Sequence, residues 1–260
     1  MENMVTTAGT ISYNTTETIS YSTKRHATDR LQRMKPPLWH KRYRHLKELR
    51  KNVELIIQDY LASGEKKKMA DLGCGEIPYL PLLEKHLDTL YAIDLPGNPR
   101  ATHFVDLETN RTNLNDEQVD IVWSVMVLEH VSDPQKYLKE CNRILKPGGK
   151  LILCTHGHWM FHPDPIDYWR WTCQGLKIEV EKGGLSVNKL WGMMGLLSMS
   201  IQLFQDAVLL HFPLTRYWGK PFAFIMQRFV SLAVWFENLS KTTKQYKNKE
   251  ACVFFVVAEK

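Results

Sequence analysis

The stretch that most constrains this chain is Lys67–Asp94. A short apolar run, Met69-Ala70-Asp71-Leu72, closes on Gly73-Cys74-Gly75, and a second run, Tyr91-Ala92-Ile93-Asp94, closes on another acid. A strand ending in an acid and two glycines, then a helix, then a second acid-tipped strand about 20 residues on, is the plan of a nucleotide-binding βαβ unit. Gly73 and Gly75 carry no Cβ, so the backbone can turn sharply and approach a ligand. Asp94 stands where a carboxylate accepts both hydroxyls of a ribose. The spacing also excludes. A dinucleotide fingerprint needs a third glycine at position 78, which here is Pro78, and no Gly-Lys-Ser/Thr is present to cradle phosphates. What is left is acid-x-Gly-x-Gly.

Downstream, Thr102-His103-Phe104-Val105-Asp106 reads as a third strand and Val119–Ser124 as a fourth, followed by Val125-Met126-Val127-Leu128-Glu129-His130-Val131. Asp133 is placed to cap a helix with Pro134 in its first turn, where no amide donor is needed. Lys146-Pro147-Gly148-Gly149 stops that helix, and Lys150–Thr155 is the fifth strand. Ser-x-x-Val-Leu-Glu-His-Val-x-Asp-Pro and Leu-Lys-Pro-Gly-Gly-x-Leu, with the glycine turn, resemble the class I S-adenosylmethionine-dependent methyltransferases of the group called methyltransferase type 11. The resemblance is dense over Met69–Thr155 and looser beyond. One departure is Ile77, where the family often has a third glycine.

The resemblance implies a doubly wound α/β fold, a Rossmann-like seven-stranded sheet, with S-adenosylmethionine as cofactor. It implies contacts from Asp71, Gly73, Cys74, Gly75, Asp94, Leu95, Asp106, Leu107, Ser124, Val125 and Met126, with Asp106 accepting the adenine amine and Glu129 and His130 bracing the loop. Acids at 71, 94 and 106 suit a ligand without phosphates. The family's Asn/Asp-Pro-Pro-Tyr motif, which holds planar amines, is replaced here by Ser124-Val125-Met126-Val127, arguing against nucleobase or amide nitrogens as acceptors.

The segment after the fifth strand, His156–Thr172, overhangs the carboxyl ends of the strands, where ligands bind in such sheets. Methyl transfer to oxygen needs a base beside the nucleophile and an oriented, water-poor pocket. His156, His158 and His162 are the candidate bases, with Asp167 as base or orienting partner. Trp159, Tyr168, Trp169, Arg170 and Trp171 are candidate acceptor contacts, since aromatic faces beside hydroxyl-binding groups suit a sugar ring. The segment looks like the His-Pro-x-x-x-Asp-Tyr-Trp-Arg-Trp-Thr stretch of type 11 enzymes associated with glycan and cell-surface polysaccharide synthesis. Its spacing is not that of a helical ligand pair, and no metal is expected.

The net charge of +6 is uneven: Lys24–Lys51 holds eleven Lys/Arg against Asp29 and Glu48. Such a cluster attracts an anionic membrane or another polyanion, or is the solvated face of a helix. Nucleic acid is not the expected partner. Five scattered cysteines without a C-x-x-C pair read as reduced thiols, and the expected compartment is cytoplasmic, with contact to an anionic membrane as a further option.

Residues 1–34 read as a loosely attached basic arm and 35–260 as the methyltransferase domain, its first helix running from about Trp39 to Ala62. Thr172–Lys182 reads as a helix, Leu185–Trp191 as a sixth strand and Ala251–Ala258 as a seventh. Between these strands an insertion, about 192–248, carries two apolar helical runs, Met193–Phe212 and Pro221–Leu239. On the second, Phe222, Ile225, Met226, Phe229, Leu232, Ala233 and Phe236 share a face. Core packing, a substrate cap, a dimer interface and a monotopic membrane contact are all open to it. The function expected is O-methylation of a glycan or glycolipid intermediate. The rivals are a small-molecule or lipid O/N-methyltransferase and a non-catalytic docking module.

Overall fold

The computed structural model describes residues 32–260 except 63, 107, 213 and 214. The arm before residue 32, three of the eleven clustered cations and the expected contact Leu107 lie outside the described residues. The elements run α1 (Tyr43–Tyr60), β1 (Lys67–Leu72), α2 (Leu80–Leu83), β2 (Leu87–Asp94), β3 (His103–Phe104) and β4 (Val119–Val125). Then follow α3 (Pro134–Ile144), β5 (Leu145–His156), α4 (Cys173–Lys182), β6 (Ser186–Gly195), α5 (Leu196–His211), α6 (Thr215–Phe236), α7 (Lys241–Lys249) and β7 (Ala251–Glu259).

The seven strands form one sheet in the order β3-β2-β1-β4-β5-β7-β6, with β7 antiparallel to both its neighbours. From β1 the chain crosses to β2 on one side and later to β4 on the other. That reversal opens a crevice at the carboxyl ends of β1 and β4, where a doubly wound sheet binds its ligand. Two apolar layers sandwich the sheet. One joins Leu49, Val53 and Ile57 of α1 to Val230 and Val234 of α6 over Ile121 and Phe255. The other packs Leu138 and Ile144 of α3 and Val180 of α4 on Val122, Leu151 and Val256. Because both faces are covered, the strands read as apolar runs.

The expected elements are present, with boundary changes that have local causes. The third strand shrinks to two residues because Val105 turns back to bridge Thr112. The fifth begins at Leu145, since Gly148 N–H donates to Lys260 O and Lys260 N–H to Gly149 O, drawing the Pro-Gly-Gly segment into the sheet. Asp133 caps α3 by accepting the Lys136 N–H at 3.1 Å, and Pro134 occupies its first turn. A third helix in the insertion, α7, had no apolar stripe to announce it; a Ser240–Thr243 capping box starts it. All five cysteines are free thiols.

Candidate active site at the carboxyl ends of β1, β2, β4 and β5

The Asp94 carboxylate at the tip of β2 is the hub of the glycine turn. Its Oδ2 accepts the Gly75 N–H at 2.8 Å and the Asn98 amide at 2.5 Å, and its Oδ1 accepts the Leu95 N–H at 2.8 Å. Asn98, buried, also donates to Gly75 O at 2.9 Å. Sequence reasoning missed Asn98; its signal was the Pro96-Gly97-Asn98-Pro99 turn directly after β2. Asp71 lies buried one strand away, and its carboxyl is pushed up to about 7 by burial and then by the Asp94 charge. The Cys74 thiol, raised by burial, sits 3.9 Å from Asp94 Oδ2.

The two glycines differ. A Cβ at Gly73 would meet Val127 Cγ2 at 2.5 Å, so the loop after β4 fills that side, whereas a Cβ at Gly75 would meet nothing within 4 Å. Both have positive φ, and open space beside Asp94 is what a bound nucleoside requires. Ile77 follows in the same turn. It adopts φ 49°, a left-handed conformation a β-branched residue enters only under strain, as does Met126 after β4 at φ 62°. Both strained residues flank the crevice. This donor set fits a phosphate-free adenosine cofactor: carboxylates at two strand tips beside a glycine backbone with open space at Gly75.

Two expected cofactor contacts are used differently. Ser124 is fully enclosed, and its Oγ accepts the Tyr137 hydroxyl at 2.7 Å, so its side chain joins β4 to α3 and does not face the crevice. Asp106 is exposed; its Oδ1 accepts the N–H and Oγ1 of Thr109, both at 2.8 Å, and these bonds hold its carboxyl below the usual range. Only Oδ2 is left for an adenine amine.

The 156–171 segment is latched over the end of β4. Tyr168 N–H and Trp169 N–H donate to Glu129 O, Trp169 Nε1 to Val131 O at 2.7 Å, and a His130 ring nitrogen lies 2.7 Å from Ile166 O. Glu129 and His130 thus hold the 156–171 segment through a backbone carbonyl and a ring nitrogen, contacts different from the bracing of the loop after β4 that the resemblance implied. A cleft of about 280 Å³ opens among Trp159, Phe161, Asp167, Tyr168 and Arg170. Trp169 and Trp171, expected as acceptor contacts, pack on each other with their rings tilted by 30° and centroids 5.7 Å apart, outside its lining.

The three candidate histidines lie in different surroundings. His156 is 2% exposed, its ring parallel to Trp159 at 4.9 Å, and burial followed by the neighbouring imidazoles pushes it well below its ordinary pKa. It faces Glu129, whose carboxyl burial raises, at 3.7 Å. That pair is enclosed. His158 is exposed and bound to Glu250 at 2.7 Å. His162 is half-buried, its Nδ1 3.5 Å from Asp167 Oδ2, and burial, then His130, lowers it to about 4. Asp167 also binds Arg170 through both carboxylate oxygens at 2.6 Å, and against the pull of burial that guanidinium keeps its carboxyl low.

A family model described as a methyltransferase domain matches residues 70–153, about a third of the chain and ending just before the loop. The chain is 30% identical over 101 residues to a ubiquinone biosynthesis O-methyltransferase of Coxiella burnetii, and 30% over 106 residues to one of Haemophilus ducreyi. These alignments take in 34% of this chain and 43% and 45% of the relatives, so the chain spans less than half the length of the curated relatives it matches. A solved structure from Galdieria sulphuraria, provisionally assigned as a sarcosine dimethylglycine methyltransferase, superposes with TM-score 0.50 at 14% identity, covering 82% of this chain and 84% of that one. The likeness extends to the fold. The sheet order, the glycine turn beneath Asp94 and the matched segment 70–153 together support a class I S-adenosylmethionine-dependent methyltransferase domain.

Proposed function

We propose that this protein transfers a methyl group from S-adenosylmethionine to a hydroxyl of a glycan or glycolipid intermediate. The observation that carries the donor half is the open space at Gly75 beside the Asp94 carboxylate. Asp94 would accept the ribose hydroxyls, Asp71 and the Gly73–Gly75 backbone would hold the amino-acid portion, and Val125 and Met126 would line the adenosine. When bound, the cofactor supplies a methyl carbon already activated by a sulfonium.

The protein's remaining work is to orient the acceptor and take its proton. His162 suits the second task. Lowered to about 4, its imidazole is neutral at pH 7, and the Asp167 carboxylate 3.5 Å from Nδ1 orients the ring, leaving Nε2 as acceptor. The proton leaves the acceptor oxygen for Nε2 as the carbon–oxygen bond forms and the carbon–sulfur bond breaks. Trp159, Phe161 and Tyr168 give the cleft the aromatic faces on which a sugar ring stacks, and Arg170, whose N–H groups are spent on Asp167, Trp159 O, Met160 O and Trp169 O, braces the loop around it.

A second reading, methylation of an aromatic small molecule, draws on the O-methyltransferase relatives. The family match stops at residue 153, before the loop, so it supports the chemistry more than the acceptor. Incubating the protein with methyl-labelled cofactor and panels of glycolipid and phenolic acceptors tests both. His162→Gln is expected to lower kcat by about 10²–10⁴-fold with unchanged affinity for S-adenosylhomocysteine. Label transfer to phenols alone would discard the glycan assignment, and full activity in the variant would remove His162 from the chemistry.

A further inference from the structure

The helical hairpin α5–α6 turns apolar surface outward along its whole length. On α5 the outer positions are Leu196, Ser200, Leu203, Phe204, Ala207 and Leu210, with no charge among them before His211 at the end. On α6, Trp218, Ile225, Phe229, Leu232, Trp235 and Phe236 are outward, with Phe229 53% and Leu232 60% exposed. Phe204 and Phe229 line a shared apolar groove between the helices. The opposite side of the hairpin is already spent: Met199, Val230 and Val234 are in the core.

A contiguous apolar face of this size marks an interaction surface. Charge selects its partner. From Leu196 to Lys249 the sequence has seven Lys/Arg and two acids, Asp206 and Glu237, and both acids are buried. The exposed charge around the apolar face is therefore cationic. Arg228 lies over the Phe224 ring at 4.7 Å, and Lys241, Lys244 and Lys249 stand exposed on α7, which Lys247 joins to the end of α6 through Asn238 Oδ1. Outward residues of α6 from Phe224 to Phe236 sweep nearly half the helix circumference, wider than the seam a single partner helix covers. Among the described residues no helix is long and apolar enough to cross a membrane. An apolar face rimmed by cations, tryptophans and a tyrosine at Tyr246, on helices that cannot span, is the pattern of an interfacial helix pair.

We infer that the α5–α6 hairpin docks flat on an anionic phospholipid surface, with Phe204, Phe229 and Leu232 entering the acyl boundary and the α7 lysines meeting the headgroups. The inference stands on this surface alone and does not depend on the methyl acceptor. The hairpin is nevertheless tied to the cleft. Gln202, Gln205 and Gln227 all donate to Lys41 O, at 3.1, 2.6 and 2.9 Å, while the next residue, Arg42, lies over the Trp159 ring at 5.0 Å.

The test is cosedimentation of the full chain with phosphatidylcholine vesicles and with equimolar phosphatidylcholine–phosphatidylglycerol vesicles. Binding at least about tenfold stronger to the anionic vesicles, weakened by salt, is expected. Phe229→Glu/Leu232→Glu should lose about tenfold or more of that binding while keeping the wild-type unfolding midpoint. Independently of that variant's folding, brominated phosphatidylcholine in the anionic vesicles should quench tryptophan emission, and Trp218→Phe/Trp235→Phe should remove the quenching. Absence of wild-type binding to anionic vesicles at low salt overturns the inference. So does a dimer by light scattering that the glutamate pair dissociates, since a second copy would then occupy the face.

Discussion

The Gly75 N–H donates to Asp94 Oδ2 at 2.8 Å, tying the turn after β1 to the tip of β2. The same carboxylate is the proposed ribose acceptor, so it shapes the loop and binds through it. Asp94→Ala removes both roles. A charged hydrogen bond contributes about 1.5–3 kcal/mol, which puts the loss of S-adenosylhomocysteine affinity at about 10- to 100-fold by calorimetry. Affinity within a factor of two of wild type would move the ribose contact elsewhere.

Gly73 is fixed for a different reason. At φ 75°, its Cβ position lies 2.5 Å from Val127 Cγ2, so Gly73→Ala meets both backbone strain and overpacking. We expect a loss of about 2–4 kcal/mol in urea unfolding. Adding Val127→Ala frees the space but not the φ angle, and should restore only part. Full recovery in the double variant would show that the left-handed conformation costs nothing.

The sheet was legible because its signals are local. Acid-x-Gly-x-Gly, the Asp133-Pro134 start and Pro147-Gly148-Gly149 each declare a turn at a strand or helix end, and the apolar runs between them have strand length. The site was legible only in part. Asp94 and the glycines lie in one turn, whereas Asn98 reaches back across β2 to them, a contact no spacing rule encodes. The three histidines look alike in sequence; what separates them is that His156 ends β5 beneath Trp159 while His162 stands beside Asp167. The hairpin was ambiguous because α6 is apolar on two sides. Of the face the periodicity picked out, Phe229 and Leu232 turn outward while Ala233 is buried, and Ala223, Val230 and Val234 on the other side enter the core.

Asp71 makes stability depend on pH. Its folded-state pKa is raised from 3.8 to about 7, chiefly by burial and then by Asp94, so the folded protein holds this proton more tightly than the unfolded chain. The stability it contributes is fully present below about pH 4 and is lost as the pH rises through about 7. His45, lowered to about 3 by burial and then Arg42, acts oppositely: its contribution is present above about pH 6.5 and falls away toward pH 3. Comparing Asp71→Asn with wild type isolates the first term. The variant should gain on wild type from pH 5 to about pH 7 in chemical denaturation and level off above it. A difference that stays flat across that range would mean that Asp71 ionises as freely in the fold as in the unfolded chain.

Glu237, buried at the end of α6, accepts the Gly195 N–H at 2.8 Å and the Ser198 N–H and Oγ at 2.9 and 2.8 Å. It thereby caps α5 from the other arm of the hairpin, where a carboxylate meets both unsatisfied amides and the positive end of the helix dipole. Glu237→Ala leaves those donors buried without an acceptor, and about 3 kcal/mol or more should be lost in urea unfolding. Glu237→Gln keeps the shape and one acceptor oxygen but turns an amide toward the remaining donors, so about half that loss is expected. The order alanine, glutamine, wild type is the discriminating result. If the glutamine variant were as stable as wild type, the shape of the side chain rather than its charge would be closing the hairpin. If both variants matched wild type within about 0.5 kcal/mol, the core packing of Val230 and Val234 would suffice to hold the two helices together.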